Sequence, residues 1–199
     1  MRVLHASDYR VMPWKNGLGT TTEVAVDPPG AGLDAFTWRV SIADLTVSGP
    51  FSAFAGYDRV IAQLDGEPMT LTHEGRGEHR LALLAPHRFA GEVATHATLT
   101  TAARDFNVMV RRERASAEVR AGTLAPGEAL GAEGDEQTRL VYLVRGAAFA
   151  STGRERLAIE AGETLLAGPG AEVAVVAEAQ GAAFFLISIG PAGRYAAPS

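Results

Sequence analysis

The chain has no cysteine among its 199 residues, which excludes disulfides, thiolate nucleophiles and cysteine-based zinc or iron–sulfur sites. It also lacks a long hydrophobic run. Its longest nearly apolar stretch, Ala182–Ile189, falls far short of the roughly 20 residues a membrane helix needs, so no membrane partner is expected. Met1–Arg10 carries Arg2, His5, Asp8 and Arg10 and no apolar segment of the signal-peptide type, and the expected location is therefore cytoplasmic. An excess of positive charge is missing too. A formal net charge of −5 provides no broad field for a phosphate backbone, so nucleic acid is not an expected partner. Eighteen Lys and Arg remain, enough for a local cationic pocket and a small anionic ligand. Finally, no segment shows a long, capped helical repeat.

What is present is a globular composition, 47% hydrophobic and 21% charged with 22 glycines, in a chain long enough for one large domain or two small ones. Short runs rich in Val, Ile, Leu, Thr and Phe alternate with Gly, Pro and acidic turns, the pattern of strands in a barrel or sandwich. Strands are expected at Trp38–Ile42, Arg59–Leu64, Met69–Thr72, Thr98–Val110, Arg139–Val144, Glu172–Val176 and Ala183–Ile189, with a hairpin tip at His73–His79. An internal repeat organises them. Arg59-Val-Ile-Ala-Gln-Leu-Asp-Gly66 and Arg139-Leu-Val-Tyr-Leu-Val-Arg-Gly146 each place a glycine seven residues after an arginine. Leu83-Leu-Ala-Pro86 and Leu165-Leu-Ala-Gly-Pro169 follow the two copies at similar distances, which points to duplication. The charged run Arg111–Arg114 reads as a connector, dividing the chain into domains 1–112 and 113–199.

A strand ending in glycine, a hairpin, and then the turn Gly162-Glu-Thr-Leu-Leu-Ala-Gly-Pro-Gly170 resembles the cupin superfamily. That resemblance implies an all-β bicupin, two double-stranded β-helix (jelly-roll) barrels in tandem. Metal-binding cupins have a His-x-His and a Glu before the first-motif glycine and a later His after the Pro-x-Gly turn, a shell suited to a transition metal. Here the glutamate-equivalent positions are Arg59 and Arg139, and neither Phe51–Tyr57 nor the residues after Gly170 supply a histidine. A cation in place of a carboxylate repels a metal ion, so no metal and no cofactor are expected. His73 and His79 read as exposed turn residues, and His5, His87 and His96 as isolated ones.

The segment Met12-Pro-Trp-Lys-Asn-Gly-Leu-Gly-Thr-Thr-Thr-Glu23 combines Trp14, a charge at Lys15, donors and acceptors at Asn16 and the threonines, and glycines that let a backbone approach a ligand. The alternative is a tight turn into an edge strand with Trp14 plugging a barrel end. In Phe36–Asp44, period two puts Trp38, Val40 and Ile42 on one face and Arg39 and Ser41 on the other. That polar face meets water in a surface sheet, or a ligand in a small barrel. Two such arginines, Arg39 and Arg59, can clamp a carboxylate. Alternation in Arg104–Met109 puts Asp105, Asn107 and Met109 together, with Asn107 reading a ligand amide or capping a turn.

Pro13-Trp-Lys-Asn-Gly17 with Gly19-Thr20-Thr21, Trp38-Arg-Val-Ser-Ile-Ala43, Gly49-Pro-Phe-Ser52 with Gly56-Tyr-Asp-Arg59, and Arg104-Asp-Phe-Asn-Val-Met109 together resemble the HutD/Ves family of bicupins. The blocks span Met12–Met109. One departure is Leu18, where relatives commonly have another glycine. The resemblance implies a metal-free bicupin of histidine utilisation that senses a small dicarboxylate such as N-formylglutamate. Its expected ligand-binding residues are Trp14, Lys15, Asn16, Arg39, Ser41, Arg59 and Asn107, and no catalytic residue is assigned. The alternative is a metal-independent isomerase or hydrolase using Asp58, Asp105 or Glu23 as its base. Apolar strands in the second half, Leu140–Val144 and Ala182–Ile187, lead to the expectation of a homodimer, although burial within one barrel explains the same residues.

Overall fold

The computed structural model describes residues 1–14, 19–132, 134–152 and 155–195. The described residues are almost entirely β, with one short 3-10 turn at Ala6–Asp8 and no helix long and apolar enough to cross a membrane. The chain divides into two compact units. One comprises Arg10–Ser116 together with the segment that begins at Ala192, and the other comprises Met1–Tyr9 and Ala117–Pro191. The first nine residues thus belong with the second barrel. Strand Arg2–Leu4 pairs antiparallel with Thr164–Ala167, and Met1 and Val3 pack against that barrel's core.

The unit Arg10–Ser116 has two antiparallel sheets. The larger runs in the order Arg10–Pro13, Gly19–Asp27, Trp38–Leu45, Ala103–Arg111, Tyr57–Asp65 and His87–Ala90. The smaller runs Gly49–Pro50, Thr95–Thr98, Thr70–His73 and Gly77–Arg80. Ile61, Met69, Leu71, Leu81 and Phe89 form the apolar core of this unit. The span expected as one strand, Thr98–Val110, is two, because the chain leaves the smaller sheet at Thr98 and enters the larger at Ala103. Trp38–Leu45 is buried on both faces. The alternation of Arg39 and Ser41 with Val40 and Ile42 therefore separates a polar interior from an apolar one, rather than a core from water.

The strand that carries Arg59 is held at its end by side-chain bonds to backbone. Gln63 is fully buried; its amide nitrogen donates to the carbonyls of Asp65 and Glu67 at 2.8 and 2.7 Å, and its oxygen accepts from the Met69 N–H at 2.9 Å. This clasp closes the reversal after Tyr57–Asp65. The charged run read as a free connector is tied down as well. Arg111 donates to the Tyr57 hydroxyl at 2.6 Å, and Arg112 pairs with Asp58 at 2.6 Å and Glu92 at 3.1 Å.

In the second unit two long strands, Thr138–Thr152 and Val173–Pro191, pair along most of their length. Ala115–Leu124 and Ala129–Ala132 join Val173–Pro191, while Glu155–Glu160 and Thr164–Ala167 join Thr138–Thr152. The shorter strands expected here are parts of these two, which register shifts near Arg145 and Gly146 allow to bend while remaining continuous. Val141, Leu143, Ile159, Leu165 and Val175 fill the interior.

The repeat is visible in the glycines that end its two copies. Gly66 and Gly146 both have φ above +80°, and a Cβ on either would run into backbone of the next strand, at Ala102–Ala103 and Gly181–Ala182 respectively. Gly162 has a similar φ of +88°, but nothing lies within 4 Å of its would-be Cβ. A left-handed non-glycine residue costs about 1 kcal/mol or more. Gly162→Ala should lose about that much stability in urea unfolding and Gly146→Ala clearly more, since backbone must also move. Equal losses would mean that the close approach at Gly146 is unimportant.

Candidate functional site

The central strand Ala103–Arg111 sets the geometry of the interior. Met109 lies opposite Arg39 on one neighbour and Arg59 on the other, and Asn107 lies opposite Ser41 and Ile61. Strand spacing of ~4.8 Å puts the two arginine Cα atoms roughly 10 Å apart, with both side chains on one face. They line a cavity of about 570 Å³ together with Trp14, Thr21, Ser41, Asp105, Asn107 and Met109, a size within the usual range for small-molecule sites. Phe51, Ser52, Phe54 and Leu33 also contribute to its wall.

Arg39 and Arg59 are 3% and 5% exposed, so each of their N–H groups needs an acceptor. Arg39 donates from Nε to Glu23 at 2.7 Å. Arg59 donates to the Ser52 carbonyl at 3.2 Å and to Asn107 Oδ1 at 2.9 Å. The Asn107 amide nitrogen in turn donates to Asp105, so Arg59, Asn107 and Asp105 form a relay. The Arg59 guanidinium lies over three rings, 5.4 Å from Phe51, 5.6 Å from Phe54 and 5.0 Å from Phe89, an arrangement that stabilises a cation removed from water. Among the described residues two of these buried donors have no partner: Arg39 Nη2 and Arg59 Nε. An unsatisfied buried donor on a charged group is costly, and both arginines that carry one are on the wall of the same cavity.

Burial pushes the Asp105 carboxyl up to about 7, against the opposing pull of Arg59, the Ala43 backbone N–H and Asn107. The same desolvation lowers Arg59 to about 10, leaving it a cation at neutral pH. Of the three acids considered as bases, Asp105 alone lines the cavity among the described residues. Glu23 is engaged by Arg39 and Asp58 by Arg112.

Trp14, Arg39, Ser41, Arg59 and Asn107 are all on the cavity wall, whereas Lys15 and Asn16 lie outside the described residues. The Trp14 indole donates to Thr21 at 2.8 Å, and Gly19 passes close beneath its ring. Asn107 spends both ends of its amide on protein partners, and its part is to hold Arg59 and Asp105. The aromatic seat of Arg59 was missed, because Phe51, Phe54 and Phe89 come from separate segments.

The histidines are arranged differently from expectation. His73 is 6% exposed and His87 is not isolated: their Nε2 atoms are 2.9 Å apart, with ring centroids at 5.1 Å. His79 stacks on His87 at 3.8 Å. The Thr95 hydroxyl donates to the Val93 carbonyl at 3.0 Å and therefore accepts from His73 Nδ1 at 2.9 Å. Neutral His73 is thus left with an accepting Nε2, to which His87 donates. Burial, then neighbouring positive charge, lowers both His73 and His87, the latter to about 4. Among the described residues no group of three or more His, Asp or Glu side chains is placed to hold a metal ion.

Two jelly-roll barrels, one of them hollow and lined with arginines, define a bicupin. Similarity in fold extends to a cupin 2 conserved barrel domain protein of Leptotrichia buccalis (11% identity, 88% of this chain and 91% of that one, TM-score 0.60). Residues 6–185 match the HutD family, and the chain belongs to it. HutD from Pseudomonas fluorescens SBW25, solved in a formate condition, is 34% identical with a TM-score of 0.78, over 96% of this chain and 99% of that one. A conserved protein of unknown function from Pseudomonas aeruginosa PAO1 is 35% identical with a TM-score of 0.87, over 95% and 98% of the two chains. An uncharacterised 21.2 kDa protein in the hutC 3′ region of Pseudomonas putida is 44% identical over 115 residues, 57% of this chain and 60% of that relative. Protein Ves of Cronobacter sakazakii is 39% identical over 147 residues, 70% of this chain and 76% of its own.

The imidazole pair makes a prediction about acid. Because both groups are lowered from 6.5 in the folded protein, the unfolded chain binds protons more readily, and stability falls as pH drops from about 6.5 towards about 4. Above 6.5 both are neutral in either state. In urea unfolding, wild type should lose more stability than His87→Gln between about pH 7 and pH 5. Parallel losses would show that the pair does not titrate this way.

Proposed function

We propose that this protein is a non-catalytic binding protein for a small carboxylate and acts as a sensor or regulator in histidine utilisation. The observation that carries this reading is the pair of buried arginines on the wall of one cavity, each with a donor, Arg39 Nη2 and Arg59 Nε, that has no partner among the described residues. Arginine is suited to such a site because its charge persists on burial and its fork matches a carboxylate. N-formylglutamate is the ligand with the best chemical fit, offering a carboxylate to the arginines and a formamide to Ser41 and the relay around Asp105. The hut context comes from the names of the Pseudomonas relatives. Formate, named with one of those structures, is the smallest carboxylate and a fragment of the same chemistry.

Calorimetric titration with N-formyl-L-glutamate, glutamate, urocanate and histidine tests the proposal. Saturable binding of one of them is expected. Hydrogen bonds to a charged group contribute about 1.5–3 kcal/mol, so Arg59→Met, which keeps an apolar stem beneath the three phenylalanines, should weaken binding by about ten- to hundredfold. Unchanged affinity in a folded Arg59→Met protein would remove the basis of the reading.

Asp105, held near neutrality in the cavity, favours a second reading, acid–base catalysis without a metal. Chromatography of N-formyl-L-glutamate incubated with the protein should show no consumption. Consumption that disappears in D105N would make the protein an enzyme.

A further inference from the structure

Among the described residues the charges around the cavity balance before any ligand enters. Among the described residues the ionisable side chains on its wall are Arg39, Arg59 and Asp105, and Arg39 is already matched by Glu23 at 2.7 Å. That leaves one cation, Arg59, and one acid, Asp105, joined through Asn107. With Asp105 ionised the set is neutral, and a carboxylate placed against the free donors of both arginines makes it negative. Like charges at short range in a poorly solvated site cannot both persist, and the arginines cannot supply the difference by changing state. Asp105 can. Its carboxyl is 1% exposed and becomes neutral by taking one proton.

We propose that the cavity takes up one carboxylate anion together with one proton, and that the proton resides on Asp105. The inference rests on the carboxylate-binding reading above and gives that site a charge rule: one buried carboxylate per binding event, with Asp105 as the residue that enforces it. A second carboxylate on the same ligand needs a cation from outside the set of Arg39, Arg59, Glu23 and Asp105.

The groups around Asp105 are consistent with this. From the strand Trp38–Leu45 it meets the Ala43 backbone N–H and the like charge of Asp44, the latter engaged by the Thr20 hydroxyl at 2.6 Å. From Tyr57–Asp65 it faces the positive charge of Arg59, while its pairing partner there, Gln63, is neutral and committed to backbone. On its own strand only the neutral Asn107 amide bonds to it. Arg39 lies one strand over, its charge offset by Glu23. Arg59 is therefore the cation that keeps Asp105 ionised in the empty site, and an anion drawn to Arg59 cancels that hold. Burial already brings the carboxyl to about 7, so the proton is taken up at physiological pH.

If only the protonated form binds, apparent affinity follows the protonated fraction. For a group titrating near 7 it should rise about tenfold between pH 8 and pH 6 and level off below. The experiment is calorimetric titration of the full chain with sodium formate and with N-formyl-L-glutamate at those two pH values, in pairs of buffers with different ionisation enthalpies. Wild type should bind more weakly at pH 8, taking up close to one proton there and little at pH 6, where Asp105 is already mostly protonated. D105N, with a neutral group of the same shape, should bind without proton uptake, with no pH dependence, and about tenfold tighter than wild type at pH 8. A gain in affinity is not a result that misfolding can give. Carbon NMR of labelled aspartate should show the Asp105 carboxyl titrating at higher pH with formate present than without. Binding that is independent of pH in wild type, with Asp105 ionised throughout, overturns the proton rule and leaves carboxylate binding intact. No heat from either probe at either pH, in wild type and in D105N, overturns both.

Discussion

The pairing register of Ala103–Arg111 between Trp38–Leu45 and Tyr57–Asp65 is the constraint on which the site depends. It sets Met109 between Arg39 and Arg59 and places Asn107 beside Ser41. Side chains in a strand alternate between faces, so a slip of one residue on either outer strand would drive an arginine into the apolar layer, and a slip on the central strand would drive Asp105 and Asn107 there. Such a slip is opposed twice, by the apolar packing on one face and by the Arg59–Asn107–Asp105 relay on the other. The relay therefore orients the polar groups and also locks the sheet that carries them.

Both barrels follow one plan, yet their interiors differ. Where the first unit turns arginine, serine, asparagine and aspartate inward beside a void, the second fills the corresponding space with Val141, Leu143, Leu165 and Val175. The arginine that begins each repeat is buried in both, at 5% and 8% exposure, but Arg59 lines the cavity and bonds to Asn107 while Arg139 lies 3.0 Å from Asp135. The two arginines thus differ in their surroundings, a cavity beside Arg59 and an acid beside Arg139.

Much of the site was legible because strands encode their two faces in alternate residues. Arg39 with Ser41, and Asp105 with Asn107 and Met109, could be grouped from spacing alone, and all five line the cavity. The positive-φ glycines of the repeat were legible for a related reason, since a strand that must bend against its neighbour leaves a glycine at a fixed distance. What could not be read depends on segments that meet only in the folded chain. His73 and His87 are fourteen residues apart with no periodic relation, and only the neighbouring strands Thr70–His73, Gly77–Arg80 and His87–Ala90 bring three imidazoles together. The phenylalanine seat of Arg59 is assembled in the same way. The two long strands of the second unit were divided on paper because glycines and charged residues interrupt their apolar pattern, where the fold uses those residues to bend without breaking.

The clasp around Gln63 has a further meaning. Asp105 titrates near 7, while burial lowers His73 and His87, the latter to about 4. The corner ending the strand that carries Arg59 is closed by a carboxamide bonded to two carbonyls and one N–H, none of which gains or loses a proton at any ordinary pH. The cavity is therefore a titrating lining set in a frame whose joint is inert to titration. A change in protonation alters the charge that a ligand meets while leaving the scaffold that presents it unmoved.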